Sequence, residues 1–235
     1  MINVEKIFQN IRDISRKDHA GYTSSDEFNR MILIAQNDLY DYYLSVYEKT
    51  GRIAAALTPF RVSASLPYPG NTRYQIPADY RQWLEVGVEW VSSTCEEVTR
   101  TPYPAEPLRG NEKLLTLSSA VRRPSLVKKR FKYQIIDDII HLYPETFVGS
   151  LLLEYLRVPA NPVRGYTVDI VSQFEIYNPA TSVNFEWPIS EEGNITDLML
   201  FYKGMQVQTS AIIDWVQRKK SLAVAPESIT LSQNS

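Results

Sequence analysis

Histidine and cysteine, the residues that most often bind metals or act as nucleophiles, are scarce in this sequence. The candidates are His19, Cys95 and His141, and no two of them have the short spacing of a metal-ligand pair. Cys95 is followed directly by Glu96 and Glu97, and adjacent negative charge disfavours the reactive thiolate. The sequence therefore predicts neither a metal centre nor a cysteine nucleophile.

Carboxylate pairs are the next residue types that could perform catalysis. They occur as Glu96-Glu97, Asp137-Asp138 and Glu191-Glu192. Solvated surface charge and helix capping account for such pairs in most proteins. The glycines form neither a phosphate-binding loop nor a dinucleotide-binding fingerprint. We therefore predict no catalytic residues, no cofactor and no metal, and a protein that is not an enzyme.

A basic run in the middle of the chain is the most highly charged feature. Its residues are Arg122, Arg123, Lys128, Lys129, Arg130 and Lys132. Such a run can contact nucleic acid through the phosphates. It can equally be a solvated face or contact an acidic neighbouring subunit. Few aromatic residues lie between the basic ones, which favours the second and third interpretations.

The overall composition excludes several classes of protein. The chain has 235 residues, and 25 Lys and Arg against 27 Asp and Glu give a net charge of −2. This balance gives no general attraction to nucleic acid or membranes. The apolar stretches are far shorter than the roughly 18 residues of a membrane span, and the first residues do not resemble a signal peptide. A single cysteine permits no intrachain disulfide and fits a reducing compartment.

The N-terminal region has the apolar spacing of two amphipathic helices. In the first, Asn3 is the expected N-cap, and Val4, Ile7, Phe8, Ile11 and Ile14 recur every three or four residues. The second begins with the capping-box spacing of Ser24 and Glu27 and ends at Gly51. Its predicted apolar stripe is Phe28, Met31, Ile32, Ala35, Leu39, Tyr42, Tyr43 and Val46.

The central region has the patterns of short strands. Leu84, Val86, Val88 and Trp90 alternate with polar or small residues. Phe131 to Ile136 and Ile139 to Tyr143 flank Asp137-Asp138 and predict a hairpin. Leu151 to Val158 predicts a further strand. Thr101 to Pro107 contains three prolines and is expected to be a loop.

The C-terminal region returns to helical spacing. Ile195, Leu198, Met199 and Tyr202 predict a helix that ends at Gly204, and a second short helix is expected from Ser210 to Lys219. Trp187-Pro188 marks the expected boundary between the last strand and these helices, with Trp187 buried. The predicted fold class is α+β, with N- and C-terminal helices packed beside a central antiparallel β-rich part. The domains are a discontinuous helical domain of residues 1–58 and 190–220, a β-rich domain of residues 59–189, and a tail of residues 221–235.

Four segments of the chain resemble one family of proteins, and they occur in its order. Tyr22 to Tyr43 has a Tyr-x-Ser-x-x-Glu-Phe start followed by Ala35-Gln36, and Leu57 to Tyr80 ends in Pro-x-Asp-Tyr. Arg130 to Val163 is a hairpin followed by a strand ending in Tyr-Leu-Arg-x-Pro, and Asn184 to Val207 contains the Trp-Pro junction. These segments are similar to the head–tail connector proteins of short-tailed, crAss-like phages of Bacteroidetes. The resemblance does not cover Tyr166 to Ala180.

The resemblance implies a structural virion protein of the adaptor or ring type. Such a subunit forms a homo-oligomeric ring, expected to be a dodecamer, between the portal and the neighbouring tail or ring proteins. It extends the DNA channel, so packaged DNA passes through the lumen without specific binding. It is assembled in the host cytoplasm, is located in the virion at the head–tail interface, and contacts no membrane.

The C-terminal tail supplies the candidate interface residues. Trp215 lies on a different helix face from its apolar neighbours, and tryptophan is enriched at interface hot spots. Ile229 and Leu231 alternate as residues of an added strand would. The tail is either a frayed end or a segment that becomes ordered on the portal or on a neighbouring ring.

Two other functions fit the sequence. A tail-tip or host-adhesion binding module would recognise a glycan through its β region, and an exposed cluster of aromatic rings would favour it. A tail-associated glycosidase would need a cleft with two carboxylates about 5–10 Å apart.

Overall fold

The computed structural model describes residues 1–17, 23–93, 98–108 and 113–207 of the chain. The helices are α1 (Val4–Lys17), α2 (Ser25–Thr50), α3 (Lys113–Ser118) and α4 (Glu192–Val207). The longer strands are β1 (Arg61–Leu66), β3 (Tyr80–Ser93), β4 (Val98–Pro107), β5 (Phe131–Ile136), β6 (Ile139–Tyr143) and β7 (Ser150–Arg157). The short strands are β2 (Arg73–Gln75), β8 (Tyr166–Val168) and β9 (Glu175–Tyr177), and short 3-10 helices cover Ala55–Phe60, Pro179–Thr181 and Ile189–Glu191. The α+β class is confirmed.

The chain divides into two compact units. One, here called the helical unit, comprises Met1–Pro59 and Pro159–Ser235, and the other, the sheet unit, comprises Phe60–Val158. The helical unit thus includes the segment after Pro159, which the sequence analysis assigned to the β-rich domain. Within this unit the segment pairs with the N-terminus, because Phe185 N donates to Ile2 O at 3.1 Å and Asn184 Oδ1 accepts from Val4 N at 3.0 Å.

Caps set the limits of the first two helices as predicted. Asn3 Oδ1 accepts from Lys6 N at 3.1 Å, and Ser24 Oγ accepts from Glu27 N at 3.2 Å. Gly51 ends α2 with φ of 66°, the left-handed conformation that glycine adopts at low cost. Along α2, Phe28, Ile32, Ala35 and Leu39 are buried as expected. Tyr42 was predicted to be apolar core, but it is exposed and Tyr40 is buried instead.

The sheet unit contains one curled sheet with strand order β1-β7-β3-β4-β5-β6-β2. Its neighbouring strands are antiparallel except for β4 and β5, which are parallel, with Ala105 opposite Phe131. The sheet is therefore mixed, not purely antiparallel. Its core is aliphatic and aromatic, and Phe131 packs edge-on against Phe147 with ring centroids 5.2 Å apart.

Two predictions in this region concern turns and prolines, and one of them is wrong. The hairpin of β5 and β6 is confirmed, and its turn residues Asp137 and Asp138 both have positive φ. The predicted loop from Thr101 to Pro107 belongs to strand β4. Proline is tolerated where the missing N–H would not face a partner strand. Pro102 and Pro104 are two residues apart and share one backbone edge, while β5 pairs only with Ala105 to Pro107.

Helix α4 begins where the sequence predicted but ends later, and the second short helix predicted from Ser210 to Lys219 lies outside the described residues. Trp187 is fully buried, as predicted, and precedes the 3-10 turn that leads into α4. The last strand does not reach this junction, because β9 ends at Tyr177 and the 3-10 helix Pro179–Thr181 follows it. Gly204, the predicted end, lies inside α4, which continues to Val207. An internal glycine costs a helix about 0.5–1 kcal/mol relative to alanine, an amount that the packing of a buried residue can exceed. Gly204 is buried.

Candidate interaction surfaces

A buried arginine anchors the β8–β9 hairpin to the helices of the helical unit. Arg164 is 3% exposed, and its Nε donates to Glu5 Oε2 at 2.6 Å. Its guanidinium carbon lies 3.9 Å from the centroid of the Phe8 ring, within the range of a cation–π contact. A buried charge is tolerated only when it is paired and hydrogen-bonded, so this position requires α1 as its partner.

The same residue is bound through its backbone to α2. Asn29 Oδ1 accepts from Arg164 N at 2.8 Å, and Asn29 Nδ2 donates to Arg164 O at 3.1 Å. The two strands that follow are also bound to the start of α2. Tyr166 Oη donates to Asp26 Oδ1 at 3.0 Å, and Glu175 Oε2 accepts from Ser25 N at 2.9 Å. The base of the hairpin is therefore fixed on both strands.

Gly165 permits the close approach at this base. A Cβ at this position would lie 2.1 Å from Thr181 Oγ1 and 2.9 Å from Asn178 O. Gly165 N donates to Ser182 Oγ at 2.9 Å, and Gly165 O accepts from Asn178 N at 2.9 Å. Any larger residue would displace this backbone, so the glycine is required by the contact itself.

The turn of the hairpin is ordered by Asp169. Asp169 N donates to Phe174 O at 3.0 Å, and Asp169 O accepts from Gln173 N at 2.9 Å. Its carboxylate accepts from Ser172 Oγ at 2.6 Å and from Val171 N at 3.2 Å. These hydrogen bonds, that from Ser172 first, lower the pKa of the Asp169 carboxyl. The turn thus has a defined shape and carries a negative charge.

This ordered turn presents apolar side chains to solvent. Ile170 is 88% exposed, Val171 is 92% exposed and Phe174 is 71% exposed; these three residues are here called the apolar tip. Residues 166–177 contain Asp169 and Glu175 but no lysine or arginine. The tip is therefore an apolar surface with an acidic border.

The predicted basic run lies in the sheet unit, and part of it is engaged in contacts there. Lys132 Nζ lies 2.7 Å from Glu106 Oε2, and its hydrogen bond and charge lower the pKa of Glu106. Lys129 Nζ donates to Tyr103 Oη and lies 4.6 Å from the centroid of that ring. The Arg130 guanidinium donates to Val121 O. These three residues therefore help to hold the local structure.

The other three basic residues are solvated. Arg122, Arg123 and Lys128 are exposed, and within the described ranges they have no ion-pair partner. Residues 113–130, here called the basic segment, also expose apolar side chains. These are Leu114, Leu115, Val121 and Val127, the last 93% exposed.

Hydrogen bonds hold the basic segment in one conformation. Ser125 N donates to Arg130 O, and Arg130 N donates to Ser125 O, both at 3.0 Å. This pair closes the turn that carries Val127, and the Arg130 guanidinium ties that turn to the one that carries Val121. Leu126 packs against the sheet core. Val121 and Val127 are thus presented by turns that hydrogen bonds hold together.

A shallow groove of about 280 Å³ on the sheet contains a carboxylate pair. Its lining includes Glu85 and Glu154, which lie opposite each other on β3 and β7. Opposed residues of antiparallel strands have Cβ atoms about 4.5–5.5 Å apart. Arg61 and Ser63 both donate to the Glu154 carboxylate. The sequence analysis did not single out this pair, because the register that joins it is set by distant strands.

Of the remaining candidate residues from the sequence, His141 is the one that the structure describes. His141 lies on β6, where burial, followed by the charges of Arg73 and Lys113, lowers its pKa. Trp215, Ile229, Leu231, His19 and Cys95 lie outside the described residues. Within the described ranges no cluster of metal-ligating side chains was found. In the same part of the chain, no helix is long and apolar enough to span a membrane.

The apolar tip was missed by the sequence analysis. Its strands have only three residues each, too few to show clear alternation. The available signal was Ile170 and Val171 beside an aspartate that can form a turn, since apolar residues are unusual at turn positions. Comparison with known proteins adds no family: neither a protein-family model nor a curated protein matches the chain.

Proposed function

We propose that this chain is a non-enzymatic structural subunit of a phage virion, a head–tail connector that forms a ring between portal and tail. The proposal rests on the order of the four segments that resemble connector proteins. It is supported by the coexistence of a helical unit and a sheet unit, since a helical part and a β part also coexist in related adaptors. In this role the ring extends the channel through which DNA passes.

The structural observation that best supports the proposal is the presence of two surfaces with exposed apolar side chains. They are the apolar tip and the basic segment. Contiguous exposed apolar residues on an ordered backbone are typical of surfaces that become buried on association. Assembly subunits need such surfaces, whereas catalysis does not.

The charge distribution agrees with a conduit for DNA. The chain carries a net charge of −2, so a ring of many copies has no overall attraction for the DNA backbone. Binding through phosphates becomes tight only when many basic residues are neutralised together. The exposed Arg122, Arg123 and Lys128 lie beside the exposed apolar Val121 and Val127, which make no contact with phosphates.

Electron microscopy of the purified virion tests this proposal. We expect density for the chain in a closed ring, a dodecamer, directly below the portal. Copies at the tip of a tail fibre would instead identify the chain as a tail-tip or host-adhesion module and would refute the connector role. A single copy per virion would refute the ring.

The carboxylate pair in the groove provides the test of the enzymatic alternative. We expect the purified protein to hydrolyse neither peptidoglycan nor capsular glycans, because Arg61 and Ser63 bind the Glu154 carboxylate. The Glu85→Gln variant and a control, Glu145→Gln, should both behave like the unmodified protein. Turnover that disappears only in Glu85→Gln would contradict the structural role.

A further inference from the structure

The two exposed apolar surfaces carry opposite charges. The turn of the apolar tip contains Asp169, Glu175 follows it with its carboxylate bound to Ser25, and no basic residue lies between residues 166 and 177. The basic segment has six Lys and Arg and no acidic residue between residues 113 and 130. Complementary potentials of this kind steer association and fix the register of an interface.

The tip exposes its apolar side chains on a closed turn. Ile170, Val171 and Phe174 face solvent, and the Asp169 carboxylate accepts from Ser172 Oγ within the turn. Because the turn is ordered before binding, docking requires little loss of conformational entropy. The base is fixed by Arg164 and Gly165, so the tip is presented in a constant direction relative to α2.

The basic segment combines exposed apolar side chains with solvated cations. Val121 and Val127 are exposed on two turns that Arg130 joins, and Leu114 and Leu115 are exposed on α3. The solvated Arg122, Arg123 and Lys128 surround these apolar residues in the sequence. An acidic loop with an apolar centre would match both the apolar residues and their charged border.

We propose that the apolar tip of one subunit docks on the basic segment of a second copy of the same chain. This inference rests on the proposed function, since it names the contact by which the ring would close. The two surfaces are different, so the contact is heterologous, and repeated heterologous contacts generate a closed ring when the rotation permits.

Other occupants fit these surfaces less well. A lipid surface attracts basic residues beside the inserted apolar ones, but the only charged residues between 166 and 177 are acidic. DNA would favour the cations of the basic segment, but it offers no partner for the exposed Leu114, Leu115 and Val127. A second copy of the chain satisfies both the apolar and the charged residues.

Cross-linking between differently labelled copies tests the contact. One full-length protein carries Val171→Cys and another carries Val127→Cys, both in a Cys95→Ser background, and the mixture is treated with a short bismaleimide. We expect a dimer containing one copy of each, identified by mass spectrometry, in the mixture. Val148→Cys in place of Val127→Cys is the matched control, because Val148 is an exposed valine of the sheet unit outside the basic segment.

The experiment is run on free protein at increasing concentration and on tail complexes that contain both variants. Yields equal to those of the Val148→Cys control in both settings would overturn the contact. Val127→Asp should weaken self-association by at least about tenfold, equivalent to about 1.4 kcal/mol, whereas Val148→Asp should leave it unchanged. Raising the salt concentration should lower the cross-linking yield, because the cations Arg122, Arg123 and Lys128 are exposed and therefore screened by salt.

The outcome separates this contact from the connector role. A ring in the virion whose neighbouring copies meet through other surfaces would overturn the contact and leave the connector role standing. Specific cross-linking by a protein that forms no ring in the virion would overturn the connector role and retain the contact. If DNA added to the mixture abolishes cross-linking, the basic segment binds nucleic acid in preference to the tip, and the contact is overturned.

Discussion

Charged side chains are buried in the helical unit, whereas the sheet unit buries almost only apolar ones. Among the described residues, the buried charges are Arg164, Glu191, Asp197 and Lys203, all in the helical unit. The buried polar residues of the sheet unit are Thr72 and Thr116. The core of the sheet unit is a continuous cluster of aromatic and aliphatic residues.

The difference reflects how each unit is joined together. The sheet satisfies its backbone by strand pairing, so its core needs only apolar area, which contributes about 25 cal/mol per Å² removed from water. The helical unit joins segments from both ends of the chain, and polar contacts specify their positions. Arg164 binds Glu5, and Lys203 binds Glu27 at 2.8 Å, across more than 150 residues of sequence.

The stability of the helical unit depends on the geometry of its buried ion pairs, whereas that of the sheet unit does not. A buried ion pair adds little net stability compared with apolar residues of the same volume, but breaking it by removing one partner is strongly destabilising. The stability of the helical unit should therefore be sensitive to the loss of a single buried charged side chain. The sheet unit should be sensitive mainly to loss of volume.

Truncation of a large aromatic residue should have the largest effect in either unit. Trp187 is fully buried and its ring lies 6.2 Å from that of Tyr40. Trp187→Ala should lower the free energy of unfolding by about 3–5 kcal/mol, and Phe131→Ala should have a similar effect in the sheet. In hydrogen exchange, Trp187→Ala should lower the protection of the backbone amides of α1, α2 and α4. Phe131→Ala should lower the protection of those of the sheet. A loss below about 1 kcal/mol for Trp187→Ala would argue against a packed ring.

Removal of a charged side chain should have different effects on the stability of the two units. Arg164→Met keeps most of the volume but removes the cation that pairs with the Glu5 carboxylate, so we expect a loss of about 3 kcal/mol. The control is Arg61→Met in the sheet unit, whose side chain is 49% exposed in its pair with Glu154; its effect should be at most about 1 kcal/mol. Chemical denaturation measures the stability loss of each variant, and hydrogen exchange shows which unit it affects. Equal effects in the two variants would remove the distinction drawn between the units.

Alkaline pH should weaken both units through one tyrosine in each, the buried Tyr74 and the half-buried Tyr43. Burial raises the pKa of Tyr74 to about 12, with a contribution from Tyr68, and burial followed by the hydrogen bond with Glu191 raises the pKa of Tyr43. The unfolded-state pKa of tyrosine is about 10. Because the folded-state pKa is higher, this stability is fully present below about pH 10 and is lost as the pH rises through about 12 for Tyr74.

Phenylalanine variants test this alkaline dependence. Tyr74→Phe should make the decrease of melting temperature between pH 10 and pH 12 less steep, because the titrating group is absent. Tyr42→Phe is the control, since Tyr42 is exposed. If all the variants follow the same curve as the unmodified chain, burial of Tyr74 does not govern the alkaline limit.

Local signals explain the parts of the fold that the sequence predicted correctly. Asn3, Ser24 and Gly51 are caps that act within three or four residues, so the starts of α1 and α2 and the end of α2 were readable. The hairpin of β5 and β6 is also local, because its strands are separated by two residues. The α+β class follows from these elements together.

The features that were missed depend on distant residues. Strand β4 contains prolines, and only the positions of β3 and β5 show that Pro102 and Pro104 leave no pairing site empty. The base of the β8–β9 hairpin depends on Arg164 meeting Glu5, which lies 159 residues away. Exposure of Ile170 and Val171 cannot be read from their types, since apolar residues are usually buried. The surfaces proposed for association therefore required the three-dimensional structure.

The smallest predicted effect concerns a turn of the sheet unit that uses neither buried charge nor core volume. Asp137 and Asp138 have φ of 49° and 60°, the conformations of a two-residue turn that prefers Asn-Gly. Asp138→Gly relieves the left-handed strain and keeps the backbone oxygen that accepts from Ile76 N at 3.0 Å. We expect a gain of about 0.5 kcal/mol, since relief of strain exceeds the added entropy of the unfolded chain.

The matched change is Gly70→Ala, at φ of 91° with open space around the position of its Cβ, which should cost about 1 kcal/mol through conformation alone. Denaturation of the two variants measures both signs, and destabilisation by Asp138→Gly would show that the aspartate side chain contributes more to this turn than its backbone strain removes.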